Sequence, residues 1–297
     1  MKKIYTLVIV LLSFFTFSCS SSQNTSSKSL KPKILVSIPP YTYFVKKIAL
    51  DTVDTVCLVP EGSNPHLFEP TPRQVQEVYE SKVWISIGES FEKKITTTLK
   101  KNHKTLTIVD LSKLIPADTT VKGCSCGHHH EHEHHESQDL HIWMSPRLAK
   151  QQAIAIEEAL TSTFPEQAEF FNKNLSDFIA ELDQIDDEIS LLLSPFKDQA
   201  VLVSHPAFGY FCKDYGLEQI SIEIEGKDPR PKDISQILEK AKNTNVRVVI
   251  VQEQHNNKGA LAIANELNIP VFNTDPYSSE YKQTLLNISQ QIAKAHD

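Results

Sequence analysis

The sequence predicts an α/β protein of two lobes, each a mostly parallel sheet with flanking helices, joined by one long rigid helix. Three observations predict it. Strand-like and helix-like runs alternate from Lys33 to Val109. The same alternation resumes from Ala200 to Ala295. Between them no glycine or proline interrupts Glu166 to Ser194, where apolar residues such as Phe171, Leu175, Phe178 and Leu182 recur at helical spacing. Alternating strands and helices build parallel sheets covered on both faces. A cleft between two such lobes is a common ligand site, so a functional site is expected there.

Lys33–Ser37 (KILVS) reads as a buried strand, Tyr41–Leu50 as a helix and Val53–Val59 as a second strand. Pro60–Pro72 (PEGSNPHLFEPTP) is dense in turn formers. Thr71 then caps a helix through Tyr79, with Pro72 at its first position. Val83–Ile87 is a strand, Phe91–Lys100 a helix and Leu106–Val109 a strand. Ser145 caps a helix that starts at Pro146 and runs to about Ser162. Pro165 opens the long helix, whose unbroken stretch of about 29 residues spans about 43 Å at 1.5 Å per residue. A helix of that length exceeds the globular norm and suits a strut between lobes, or a long packed helix within one domain. Beyond it come strand Ala200–Val203, helix Ala207–Tyr215, strand Leu217–Ile222 and helix Asp233–Lys242. Strand Val246–Val251, helix Gly259–Leu267, strand Val271–Phe272 and helix Tyr277–Ala295 complete the chain. The lobes are therefore placed at 32–164 and 195–297, with the linking helix at 165–194.

The N-terminus reads as a targeting segment. Lys2 and Lys3 precede the apolar run Ile4–Phe17, which is short for a membrane-spanning helix and suits a signal peptide over 1–18. Ser18-Cys19 resembles the lipobox of bacterial lipoproteins, with Thr16 where that motif usually has Leu. Cys19 is the expected lipidation site and the Ser-rich stretch 19–31 a flexible tether. The protein is expected at the periplasmic or extracytoplasmic face, as a membrane-anchored lipoprotein and a monomer. A net charge of −7 and the lack of a basic stripe argue against nucleic acid as a partner. No GxGxxG or GxxxxGK[ST] pattern supports nucleotide binding. Cys57 and Cys212 stand far apart in apolar settings and read as buried free thiols.

Two groups of residues carry metal chemistry. The first is the His-rich loop 123–138, which contains Cys124, Cys126, His128, His129, His130, His132, His134 and His135. Imidazole and thiolate suit zinc and other late divalent metals, but a segment this polar and repetitive builds no core. It offers many interchangeable ligand sets and little preorganisation, so it is read as an auxiliary element that captures zinc. The alternative is a dispensable insertion with incidental affinity. The second group is His66, His141, His205 and Asp275, each where a strand gives way to a loop or helix and each flanked by proline. Three imidazoles and one carboxylate could close a four-coordinate shell around a divalent cation. Any one of these histidines alone reads more simply as structural; their joint placement favours a site. His255 also follows a strand and is held in reserve, whereas His103 and His296 read as solvated surface residues.

Asn64-Pro65-His66 with Pro70, His141-Ile142-Trp143 followed by Pro146, and His205-Pro206-Ala207-Phe208-Gly209-Tyr210 resemble motifs of the solute-binding receptors of bacterial zinc and manganese ABC importers. The resemblance runs in order over nearly the whole chain after the tether, including the long helix and the His-rich insertion. It implies that His66, His141, His205 and Asp275 ligate the metal. It also implies partners: an ABC permease and its ATPase, with membrane association through the lipid. Two departures keep every ligand: Ser204-His205-Pro206 where many members have His-Asp-Ala, and Asp139-Leu140-His141 where Asp-Pro-His is commoner. A shell of three histidines and one aspartate leans to Zn2+ over Mn2+, because manganese prefers more oxygen.

The expected function is to capture zinc outside the cytoplasm and deliver it for uptake, with no enzymatic step. A manganese or iron receptor of the same family is the alternative. A secreted zinc hydrolase with Glu69 as base is another, weakened by the absence of HExxH. An adhesin or metal-scavenging surface protein is compatible with the same ligands.

Overall fold

The computed structural model describes residues 31–102, 105–116, 138–223, 227 and 229–296. The predicted signal and tether, Cys19, His103 and the cluster from Cys124 to His135 lie outside the described residues.

Two four-stranded sheets are present, and every pairing in them is parallel. The first is built from β1 (Lys33–Val36), β2 (Asp54–Cys57), β3 (Val83–Ser86) and β4 (Thr107–Asp110), in the order β2-β1-β3-β4. Its connecting helices are α1 (Pro40–Ala49), α2 (Pro72–Glu80) and α3 (Ser90–Asn102). Two helices follow in sequence and pack together, α4 (Pro146–Thr163) and the long α5 (Ala168–Leu193). The second sheet has β5 (Ala200–Val203), β6 (Glu218–Ser221), β7 (Val249–Val251) and β8 (Val271–Asn273), in the order β6-β5-β7-β8. Its helices are α6 (Gly209–Tyr215), α7 (Pro231–Asn243), α8 (Lys258–Leu267) and α9 (Tyr281–His296).

Local chemistry explains the predicted elements. β1, β3 and β5 are apolar because both faces of each are covered. Thr71 and Gln74 form a capping box at α2, and the Ser145 hydroxyl accepts the Leu148 N–H at 3.0 Å to start α4. α5 has 26 residues, and Phe171, Leu175, Phe178, Leu182, Ile185 and Ile189 bury one stripe at alternating steps of four and three. That stripe lets it pack against α1, α4 and α9.

Several boundaries differ from the prediction, among them the starts of two helices. α6 begins at Gly209, not Ala207, because residues 204–208 form a tight bend in which Ala207 donates to the His205 carbonyl at 2.8 Å. α9 begins at Tyr281, not Tyr277, because Asp275 Oδ1 accepts the Tyr277 N–H at 2.8 Å and holds a turn. Short 3-10 turns at Pro65–Leu67, Leu111–Leu114 and Ile142–Met144 were not foreseen. His296 is half-buried, with Nδ1 2.9 Å from the Ile292 carbonyl, rather than solvated.

The larger hydrophobic cluster runs without a break from the first sheet through α1, α4 and α5 into β5, α6 and α9. A smaller one lies on the other face of the second sheet, under α7 and α8. Among the hydrogen bonds that cross the seam are Tyr281 Oη to the Trp143 carbonyl (2.8 Å), Trp143 Nε1 to the Pro276 carbonyl (2.9 Å) and Tyr210 Oη to the Asp139 carbonyl (2.9 Å). Cys57 and Cys212 are free thiols, as expected, and burial pushes both up to about 12. Among the described residues no helix is long and apolar enough to cross a membrane.

Candidate metal centre

The carboxyl ends of the strands in both sheets face one cleft, where open α/β sheets build their sites. β2 leads to His66, in the turn Pro65–Leu67, where Asn64 Oδ1 accepts the His66 N–H at 2.9 Å. His141 enters the turn Ile142–Met144, and Asp139 Oδ1 accepts its N–H at 2.9 Å. His205 follows β5, and Gln252 Nε2 donates to its carbonyl at 3.0 Å. Each imidazole is thus aimed by a backbone that a neighbouring side chain has already fixed.

The structure brings His66, His141 and His205 together: one ligand atom from each lies within 4.8 Å of the other two. His66 Nε2 and His205 Nε2 are 3.2 Å apart. Two nitrogens on one tetrahedral zinc, each about 2.05 Å from it, are separated by about 3.3 Å. That pair is already spaced for a shared ion. The Tyr277 hydroxyl lies 2.9 Å from His141 Nε2 and 3.1 Å from His66 Nε2, so an oxygen adjoins the same nitrogens.

Behind each ring stands a carboxylate. His141 Nδ1 is 2.6 Å from Asp139 Oδ1, and His205 Nδ1 is 2.7 Å from Glu223 Oε2. His66 Nδ1 is 2.9 Å from Glu89 Oε1, an ion-pair contact rather than an aligned hydrogen bond. An acceptor at Nδ1 keeps the proton there and leaves the Nε2 lone pair for a metal.

Burial, reinforced by the neighbouring imidazoles, lowers His205 to about 3 against the pull of Glu223, so this ring is neutral. Burial opposes the charge on Glu223, but its contacts with His205 and His255 hold it below the usual carboxylate range. Burial also works to lower His66, yet Glu89, helped by Glu223 and Asp139, raises it above its ordinary value.

Glu89 is itself positioned. Gly88, at φ +95°, turns the chain out of β3, and the buried Glu92 carboxylate accepts the N–H groups of Ile87, Gly88 and Glu89.

Asp275 is not within the three-histidine group; its Oδ1 is spent on the Tyr277 N–H, and burial raises its pKa. Glu69, the base that a hydrolase would need, is exposed and paired with Lys94 at 3.2 Å. His255 forms a second group with His205 and Glu223. Glu89, Glu223 and Tyr277 were missed by sequence reasoning, and Asp139 was noted only as part of the His141 motif. Their one signal was a position just after a strand or two residues before a candidate histidine.

Residues 34–295 match the family described as zinc-uptake complex component A, periplasmic (ZnuA). The chain belongs to the ZnuA family. A relative from Chlamydia trachomatis serovar D, described as a metal-binding protein, is 32% identical over 97% of this chain and 99% of its own length. The zinc-binding lipoprotein AdcA of Streptococcus pneumoniae is 27% identical over 94% of this chain, which spans 56% of that longer protein. A crystal structure of ZnuA superposes with a TM-score of 0.79 at 32% identity, covering 90% of this chain and 99% of that one. The zinc-binding protein TroA of Treponema pallidum shares the fold, with a TM-score of 0.76 at 18% identity, covering 89% and 99%. The ZnuA-like fold of two parallel-sheet lobes and a long helix is the one the sequence predicted.

Proposed function

We propose that this ZnuA-family protein is an extracytoplasmic receptor that binds one zinc ion in its cleft and delivers it to the permease of an ABC importer. The observation that carries this reading is the convergence of three imidazoles, each backed by a carboxylate at Nδ1. Three nitrogen donors favour zinc over manganese.

His66, His141 and His205 are the proposed ligands. Asp275 is the proposed fourth, after its carboxylate leaves the Tyr277 N–H. The lobes 32–164 and 195–297, joined by 165–194, are the proposed units on either side of the ion. The Cys124–His135 segment is proposed to raise the local zinc concentration, and a lipid at Cys19 to hold the monomer at the membrane. No chemical step is required, and the exposed, paired Glu69 argues against hydrolysis.

Zinc titration in competition with a chromophoric chelator tests the assignment. Wild type should show one tight equivalent, lost in His141→Ala and in His205→Ala and kept when 123–136 is deleted. Loss of the tight equivalent on that deletion would move the primary site into the loop. Asp275→Ala should weaken zinc more than Tyr277→Phe; the reverse order would give the fourth position to the tyrosine oxygen.

A further inference from the structure

The turn between β3 and α3 closes over a buried carboxylate that is not among the proposed ligands. Glu92, the third residue of α3, is 3% exposed. Its Oε1 accepts the Ile87 N–H at 3.0 Å, and its Oε2 accepts the N–H groups of Gly88 and Glu89 at 2.6 and 2.8 Å. The Ser37 hydroxyl also bonds to it, and that hydroxyl accepts the Trp84 Nε1–H at 3.0 Å. Among the described residues no cation pairs with Glu92. Burial pushes it up to about 7 against the pull of Ser37 and of the Ile87 and Gly88 N–H groups, and Glu89 adds to the rise.

Helix capping explains only part of this. A glutamate at the third helical position reaches back to the N–H of the residue before the helix, as one half of a capping box. Glu92 does so to Glu89, but it also takes two further N–H groups, in a setting that opposes its charge. The residue that it caps is itself unusual. Glu89 is 4% exposed and aims Oε1 at His66 Nδ1, 2.9 Å away.

We propose that Glu92 is a positioning residue of the zinc centre: by gripping the three N–H groups that lead into Glu89, it fixes that carboxylate behind His66. The inference rests on reading His66 as a ligand. Gly88, at φ +95°, lets the chain turn so that three successive N–H groups converge on one side chain. A carboxylate has two acceptor oxygens for them and for Ser37. An amide of the same shape has one, and its NH2 group would face N–H groups. With that amide in place the turn relaxes, Glu89 shifts from Nδ1, and His66 loses the acceptor that leaves its Nε2 lone pair for the metal. Glu92 therefore acts on the ion through Glu89.

Chelator competition with zinc at about pH 8, where Glu92 is ionised, tests this in a double-variant cycle. Glu92→Gln should weaken zinc several-fold in otherwise wild-type protein. In protein that already carries Glu89→Gln it should add less than about twofold. Equal losses in the two backgrounds, or no loss in the first, would overturn the proposal, because general loosening does not depend on the charge of Glu89. Glu92→Asp, withdrawn by one methylene, is read in the same way should Glu92→Gln not fold. Amide hydrogen exchange gives a second readout. Glu92→Gln should speed exchange at Ile87, Gly88 and Glu89 and leave β5 unchanged; equal acceleration in both sheets would reduce Glu92 to a structural residue and overturn its positioning role. Tight zinc retained in His66→Ala would instead remove His66 from the centre, so the two readings fail separately.

Discussion

A histidine whose Nδ1 rests on a carboxylate is a stronger and better-aimed ligand than a free one. Asp139→Asn and Glu223→Gln should therefore each weaken zinc about 10- to 100-fold while leaving all three imidazoles in place. Chelator competition reads this directly, and an unchanged affinity would make those carboxylates bystanders. Acid acts through a different residue. His205 is already neutral, whereas His66 is raised above its ordinary value by Glu89. Zinc must therefore displace the proton on His66, and affinity should fall about tenfold per pH unit below its pKa. A titration from about pH 8 to pH 5 should show that slope, and a flat profile would argue against His66 as a ligand. For the metal-free fold the sign is reversed: a raised folded pKa adds stability below the unfolded value. That stability is lost as pH rises through the folded value. At this scale the sequence revealed the histidines, because proline and a strand end mark each one. It hid Glu89 and Glu223, because each meets its histidine, His66 or His205, only once the strands and turns of its own lobe have folded. Asp275 shows the converse. The residue pair Asp-Pro that drew attention to it also builds turns, and in the structure its oxygen caps one.

The β3–α3 connection illustrates how an element serves the site. A Cβ on Gly88 would come within 2.8 Å of the Ser112 Cβ, and the left-handed φ adds strain. Gly88→Ala should lower stability by about 1–3 kcal/mol and weaken zinc by moving Glu89. Urea unfolding checks the first effect, and a loss of less than about 0.5 kcal/mol would refute the clash. In α5, Phe178 is 1% exposed and meets Phe44 edge-on at 5.2 Å. Phe178→Ala should cost about 3–5 kcal/mol by the same measurement. Regular helices and buried strands were legible because their periods repeat over many residues. The 3-10 turns that hold His66 and His141 were not, because three residues carry no period. The displaced starts of α6 and α9 have the same origin: the residues ahead of them are used to shape the cleft.

The whole molecule inherits its stiffness from the shared core. Trp143, Tyr210 and Tyr281 bond across the seam, and α5 packs against α1, α4 and α9. Metal-free and zinc-loaded protein should give nearly superimposable small-angle scattering profiles; a clear fall in radius of gyration on loading would contradict this. Two lobes and a long helix were readable from the alternation of elements. That one apolar cluster spans both sheets was not, since the pattern along a strand does not reveal which lobe its buried face will meet. This continuity has a consequence for unfolding. Residues 195–296 alone would leave Phe208, Phe211, Tyr281 and Leu285 without much of the core that buries them in the intact chain. Calorimetry should record a single endotherm, with calorimetric and van't Hoff enthalpies in a ratio of about 1. The two sheets would melt as one body, and an ion held between them would delay the melting of both.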